Sequence, residues 1–528
     1  MDRRTLLKAG GGALALTALD MVPGRLLVAE ANQPSGGPGA APFTLGVASG
    51  DPLPKSVVLW TRLATDPFDG GAGTKQVHVK WEVAADEQFR RVVRRGNTMA
   101  GPELGYSVHV EVHGLRPSTT YWYRFRSRGA ISPVGRTRTA PSAGASPPSL
   151  RFAFASCQQW QRGYYTAYRH MAEQDLDLVI HLGDYIYEGN HSTTVRPALP
   201  PEPVQAEPMD LASYRNRYAL YKTDADLQAA HAAFPFLVTW DDHEVENNYA
   251  SDISQVDTEP DQDPAVFRQR RAAAYQAWYE HMPVRASQVP AGPDLLLYRR
   301  LRFGDLAEIN MLDTRQYRSD QACGGGLTPP CDELVHPART ITGPEQESWL
   351  LDGLATSRSR WKVLAQQVFM AQLDIAPGPD VLVNTDGWDG YPFSRDRLLG
   401  FIADRGVSDV VVLTGDIHTS WVNDLKADFA DPASATLATE FVGTSISSDG
   451  DGDDSNNISA LLPGNPHIKF FSNRRGFVQC ELTRHQWRTD YQEVPYVSRP
   501  GAPLTTRASF IVESGRAGAE QISGARIV

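Results

Sequence analysis

Four stretches far apart in this chain place metal-ligating residue types directly after apolar runs. Cys157 follows the run 151–156, Asp184 and Tyr187 follow 177–182, Asp241, Asp242 and His243 follow 234–240, and Asp416 and His418 follow 409–413. One Asp after an apolar run is an ordinary turn residue. Four such endings carrying thiol, phenol, carboxylate and imidazole form the donor set of a metal centre. The carboxylate of Asp184 has two oxygens and could bridge two cations. Tyr187 stands three residues further on, within reach of the same ion across one turn. A phenolate and a thiolate suit ferric iron, because strong anionic donors stabilise the higher charge, so Fe(3+) is expected at Cys157, Asp184, Tyr187 and His418. The plainer readings are a core thiol at Cys157 and a packing tyrosine at Tyr187.

Oxygen donors collect at a second position: Asp242, Asp416 and Gln366, with Asp241 as the alternative to Asp242. Oxygen in place of nitrogen favours a hard cation. Cys157, Tyr187, Asp184, Asp242 and Asp416 together carry five negative charges when ionised. Ferric iron with one divalent cation balances them, and calcium, magnesium or manganese meets that count. Cations so held acidify a bound water and neutralise phosphoryl oxygens. The expected reaction is hydrolysis of a phosphate ester by in-line attack of a metal-bound hydroxide or oxide. Arg315 follows another strand-like run and could fork onto phosphate oxygens as a catalytic group, or pair with Asp313. Glu246, Asn247 and Asn248 could support the ligands from behind. The acidic stretch 448–454 lacks the twelfth-position Glu of an EF-hand and reads as a solvated loop.

The elements that must position these residues are strands alternating with helices, an α/β layered pattern, in which sites form beyond the carboxyl ends of strands. Residues 1–31 read as a twin-arginine signal, with Arg3-Arg4 ahead of a weakly apolar run and a small-residue cleavage site. Residues 43–142 are β throughout, with alternating runs at 77–83 and 107–112; the segment 114–125 resembles the closing strands of a fibronectin type III sandwich. A Pro/Ser/Ala/Gly-rich linker leads to 149–498, the expected catalytic domain, which returns to β character after 434. Residues 499–528 are expected as a C-terminal tail, mobile or folded over the site.

These blocks resemble a recognised family. Gly183-Asp184-Tyr185-Ile186-Tyr187 is similar to the GDxxY block of the purple-acid-phosphatase-like metallophosphoesterases. Asp242-His243-Glu244 stands where that superfamily carries Asn-His-Glu, and Gly415-Asp416-Ile417-His418 where it carries Gly-His-x-His. With Ala155-Ser156-Cys157 and the block 363–367 in order, the set resembles the PhoD-type alkaline phosphatase/phosphodiesterase branch across about 43–495. The resemblance implies a metallophosphoesterase β-sandwich flanked by helices, behind a small fibronectin-III-like sandwich. It implies Ca(2+) beside the iron, and His243 as the histidine that stabilises or protonates the leaving group. Some exported members of that branch cleave phospholipids, so a phospholipase-D-type activity stands as the alternative substrate class.

Bulk properties agree. A net charge of -11 excludes a general nucleic-acid binder, since phosphate backbones require a basic surface; a bound cation can still reverse the field locally. No apolar stretch is long enough for a permanent membrane anchor. The expected partners are a small phosphate ester or a phospholipid and the twin-arginine export machinery, with a secreted or cell-envelope destination. In that setting Cys323 and Cys331, flanking a Gly/Pro-rich loop, can form a disulfide, while Cys480 reads as a buried small side chain. A non-catalytic exported binding protein is the reading from another class, and it gives no reason for ligand residues at four strand ends.

Overall fold

The computed structural model describes residues 42–189, 195–196, 200–376, 378–454 and 458–525, so the twin-arginine segment lies outside the described residues. Two sheets face each other across one apolar core. In the first, Leu150–Ala155, Leu178–His181, Pro235–Val238 and Val47–Leu53 run parallel side by side. In the second, Ala307–Met311, Trp361–Ala365, Val410–Thr414 and Thr436–Val442 do the same.

Side chains of a strand alternate between its two faces, and the apolar runs use both. Phe152, Phe154 and Ile180 enter the core between the sheets, against Ile309, Val363 and Leu413. Ala153, Ala155 and Val179 point the other way. That outer face is covered by Thr166–Ala172, Leu211–Lys222, Ala225–Ala233 and Pro264–His281, which bury Tyr168, Tyr218, Leu227 and Trp278 against it. The outer face of the second sheet takes Gly343–Thr356 and Pro392–Arg405 through Leu350, Leu354, Leu398 and Ile402. The helices start where the sequence permits: Asp210 accepts from Ser213 N, and Asp263 accepts from Ala265 N ahead of Pro264.

The N-terminal β region is a sandwich with its own core, in which Val57 and Leu59 face Val79, Tyr123 and Phe125. One of its sheets is not separate. Val47–Leu53, Ser56–Arg62 and Ser107–His113 extend the first central sheet, joined through Ser49 opposite Pro235. The segment expected as a tail is also built in. Thr505–Glu513 pairs with Gln486–Val494, and Glu520–Gly524 pairs outside it. Its alternating Ala508, Phe510 and Val512 enter the core between the sheets, which is why it is a strand and not a cover for the site.

Candidate metal centre

Every parallel strand that precedes an expected ligand ends on the same side, and the loops that follow converge. Cys157, Asp184 and His418 each offer a ligand atom within 4.8 Å of the others; so do Asp184, Asp242 and His243, and so do Asp241, Asp242 and Asp416. Asp184 belongs to two of these groups, and so does Asp242. Tyr187 closes the first: its Oη donates to Asp184 Oδ2 at 3.0 Å and lies 2.9 Å from His418 Nε2. The thiol of Cys157 donates to Ser156 Oγ at 3.1 Å.

The backbone turns sharply to make this possible. Cys157, Asp184, Asp416 and His418 all have φ between 55° and 65°, a left-handed region that costs a non-glycine residue roughly 1–3 kcal/mol. The glycines beside them answer to space. A Cβ on Gly183 would meet Asp241 Cβ at 2.4 Å, and one on Gly415 would meet Ser156 Oγ at 2.6 Å.

Clamps hold the strained turns. Glu244 is fully buried and accepts from the backbone N–H groups of Asp184 (3.0 Å), Tyr185 (2.6 Å) and Asp241 (2.8 Å). Ser448 Oγ lies 2.8 Å from both the Cys157 carbonyl oxygen and Tyr187 Oη. Asp449 Oδ2 is 2.7 Å from His418 Nδ1, and the Arg475 guanidinium donates to the His418 carbonyl oxygen. The acidic stretch 448–454 is thus a correction: it is not merely solvated, because Ser448 is buried under the site and Asp449 orients a candidate ligand.

The other singled-out residues are placed as follows. His243 stacks on Tyr187 with ring centres 4.1 Å apart, and its Nδ1 is 2.6 Å from Glu188 Oε2. Asn247 N–H donates to Glu188 and Asn248 N–H to Asp242, at 2.8 and 2.7 Å, so these two support the site through backbone. Glu246 turns away, toward Arg270 at 3.1 Å. Gln366 spends its amide on Val368 O, Thr414 Oγ1 and the Trp388 indole, and Asp313 accepts from Trp240, Arg315 N and Gln316.

Arg315 is the main departure from expectation. It is fully buried, with Nε on Asp241 (2.5 Å), Nη1 on Asp386 (2.8 Å) and Nη2 3.4 and 3.6 Å from Asp242 and Asp416. A guanidinium enclosed by four carboxylates holds them in place through Nε and Nη1, while Nη2, between Asp242 and Asp416, has no hydrogen-bond partner. Asp386, tied also to Arg318 at 2.6 Å, has no signal in the sequence, since it follows no long apolar run. Glu188 did have one: it is the acidic residue directly after Tyr187.

The electrostatics call for cations. Burial, and then the neighbouring Asp184 charge, push the Cys157 thiol up. Burial pushes Asp184 and Asp416 well above the carboxylate range, with repulsion from Asp242 and Asp241 added to each. Burial also raises Asp242, but Arg315 and His243 outweigh it and hold that group low. For His243 burial works against the charged form, yet Glu188, Asp184 and Asp242 overcome it and keep the imidazolium favoured. Asp184 Oδ1 and Asp241 Oδ2 are buried with no hydrogen-bond partner, a costly arrangement for a carboxylate oxygen unless a cation takes the lone pairs. The donor set therefore fits metal ions.

The comparisons with known proteins agree with this geometry. Residues 152–491 match the PhoD-like phosphatase family and residues 29–141 match its N-terminal domain. The chain is 50% identical over 529 residues to "Alkaline phosphatase D" of Bacillus subtilis (strain 168), covering 100% of this chain and 90% of the relative. The solved "Structure of PhoD" superposes with a TM-score of 0.87 at 51% identity, over 93% of this chain and 94% of that one. A purple acid phosphatase from yellow lupin (Lupinus luteus) seeds shares the fold alone, with a TM-score of 0.53 at 12% identity, over 89% of this chain and 73% of that one. Sheet pair, helical flanks and strand-end site thus define a phosphatase of the purple-acid-phosphatase-like fold. The chain belongs to the PhoD-like phosphatase family.

Proposed function

We propose that this phosphatase is an exported, metal-dependent hydrolase of phosphate mono- and diesters, with ferric iron held by Cys157, Asp184, Tyr187 and His418 and calcium held by Asp242, Asp416 and Asp241. The observation that carries the reading is the orphaned pair of buried oxygens, Asp184 Oδ1 and Asp241 Oδ2, each in a cluster of ligand atoms within 4.8 Å. When bound, the cations supply Lewis acidity toward the phosphoryl oxygens and lower the pKa of water.

The chain's own residues do the rest. Arg315 keeps Asp241, Asp242 and Asp416 together against their mutual repulsion. Glu188 orients the His243 ring and favours its protonated form, so that His243 can donate a proton to a departing ester oxygen. Tyr187 lies under that ring and fixes its plane. Export rests on Arg3-Arg4 and the run behind it; among the described residues no helix is long and apolar enough to cross a membrane.

The test is metal analysis of the purified protein with a visible spectrum. Tyrosinate or thiolate on ferric iron produces a charge-transfer band. Cys157→Ala is expected to abolish or shift that band and to lower hydrolysis of bis(4-nitrophenyl) phosphate at least about tenfold, on the scale of ~1.4 kcal/mol of lost transition-state stabilisation. An unchanged spectrum with full activity in that variant overturns the assignment.

A further inference from the structure

A cavity of about 370 Å³ opens directly beside the candidate metal centre, and Asp416 lines both. Its walls are apolar. Trp421 stands between Phe369 and Phe471, with ring centres 5.6 and 4.4 Å away, and Leu373, Ile417 and Leu461 complete the lining. These last three and Phe471 are only partly buried, so apolar surface is left facing water at the edge of an acidic site. The polar neighbours are occupied: Asp389 is bound to Arg395 at 2.6 Å and to Leu373 N at 2.8 Å, and Asn384 Oδ1 accepts from Asp386 N.

We infer that this groove seats one short alkyl or aryl substituent retained on the phosphorus of a phosphodiester substrate. The inference rests on the proposed hydrolysis and deepens it. Three observations select this occupant. First, the groove is continuous with the centre through Asp416, so a phosphoryl group placed among the carboxylates directs one ester arm into it. Second, His243 groups with Asp184 and Asp242, whereas Asp416 groups with Asp241 and Asp242. The groove thus opens beside the group that holds Asp416 and not the one that holds His243, so the ester arm seated in it is not the arm next to the imidazole. Third, the volume lies at the lower end of ligand pockets, roughly 300–1,000 Å³. That is room for one short chain or ring and too little for a two-chain lipid. A phosphomonoester, having no retained arm, leaves the groove wet.

The test uses the metal-loaded protein and a series of methyl, butyl and hexyl 4-nitrophenyl phosphates, in which the leaving group is constant. A buried methylene is worth up to about fourfold, so kcat/KM is expected to rise at least about tenfold from methyl to hexyl. Leu461→Trp, which fills a partly exposed wall, is expected to flatten the series by lowering kcat/KM for the hexyl ester toward that for the methyl ester. A flat series in the native protein, or a rise that Leu461→Trp does not reduce, overturns the inference. Faster hydrolysis of phosphatidylcholine vesicles than of the hexyl ester also overturns it, in favour of a membrane surface. Failure to hydrolyse any member would instead sink the underlying phosphodiesterase reading.

Discussion

Replacing Glu244 by Gln isolates the cost of holding the two ligand-bearing loops together. The native carboxylate presents Oε2 to the N–H groups of Asp184 and Asp241 and Oε1 to that of Tyr185, at 3.0, 2.8 and 2.6 Å. Glutamine is nearly isosteric but has one acceptor oxygen. In its better orientation the amide oxygen keeps the two bonds to Asp184 and Asp241, while the NH2 group faces the Tyr185 N–H donor to donor. Burial pushes the Glu244 pKa up to about 8, so above that pH, where the group is ionised, a buried donor left unsatisfied costs about 1–3 kcal/mol and two bonds weaken from charge-assisted to neutral at about 0.5–1 kcal/mol each. The sum is roughly 3 kcal/mol. Urea denaturation of native and variant protein at equal metal loading is expected to show that loss through a lowered midpoint with an unchanged slope. Because Tyr185 directly follows Asp184, which sits at φ 55°, loss of the acceptor for the Tyr185 N–H also loosens that turn, so the variant is expected to retain less metal after dialysis. Glu244→Gln with stability within about 0.5 kcal/mol of native and full metal retention refutes the clamp.

Two more perturbations test side chains outside the proposed ligand set. Lys222 is buried with its ammonium facing the Trp60 and Tyr185 rings at 4.2 and 5.2 Å, and burial pushes its pKa from 10.5 down to about 7. Between about 7 and 10.5 the unfolded chain therefore holds a proton that the folded chain lacks, so stability rises with pH in that window, by roughly 1.4 kcal/mol per pH unit at most. Lys222→Met, which keeps the stem on Trp60, is expected to remove that rise; parallel stability–pH curves for the two proteins would refute the assignment. The Cys323–Cys331 disulfide closes a loop of sequence separation 8, for which chain entropy gives about 2.5 kcal/mol. The double serine variant is expected to lose no more than that in urea denaturation and to show protease cleavage within 321–333; a larger loss would mean that the loop is coupled to the whole core.

What could be read in the sequence divides along a physical line. The ligand-bearing strand ends were legible because a buried strand needs a continuous apolar run, and a polar, metal-binding residue ending such a run is locally anomalous; that Gly183 and Gly415 have no room for a Cβ shows only in the structure. The layered α/β pattern followed from the same runs, and the two-sheet sandwich from the family resemblance. Illegible were contacts that arise only when separate loops meet. Asp386 comes to Arg315 from 71 residues away, and Ser448 comes to Tyr187 from 261. An isolated Arg after a strand reads as a phosphate fork or a partner of Asp313, and nothing local announces the four carboxylates that enclose Arg315. The strand Thr505–Glu513 is illegible for a different reason: Ala508, Phe510 and Val512 alternate correctly, but the segment needs its two partners, Gln486–Val494 and Glu520–Gly524, to be a strand at all.

The four strained residues explain why the missed contacts matter as much as the legible ones. Left-handed backbone at Cys157, Asp184, Asp416 and His418 is disfavoured in isolation, and at roughly 1–3 kcal/mol each the total rivals the whole stability of a small domain. It persists only if the surroundings over-determine it. Glu244 does this for Asp184, Ser448 for Cys157 through its carbonyl, and Arg475 with Asp449 for His418. Asp416 is held through Arg315 Nη2 at 3.6 Å, the longest of these contacts. Its carboxyl is also pushed well above the usual range by burial and by Asp241. Of the four, Asp416 is therefore the position most dependent on a bound cation for its geometry, and it is also the residue shared with the apolar groove. In the proposed centre, metal loading is expected to change the shape of the groove mouth through this one side chain.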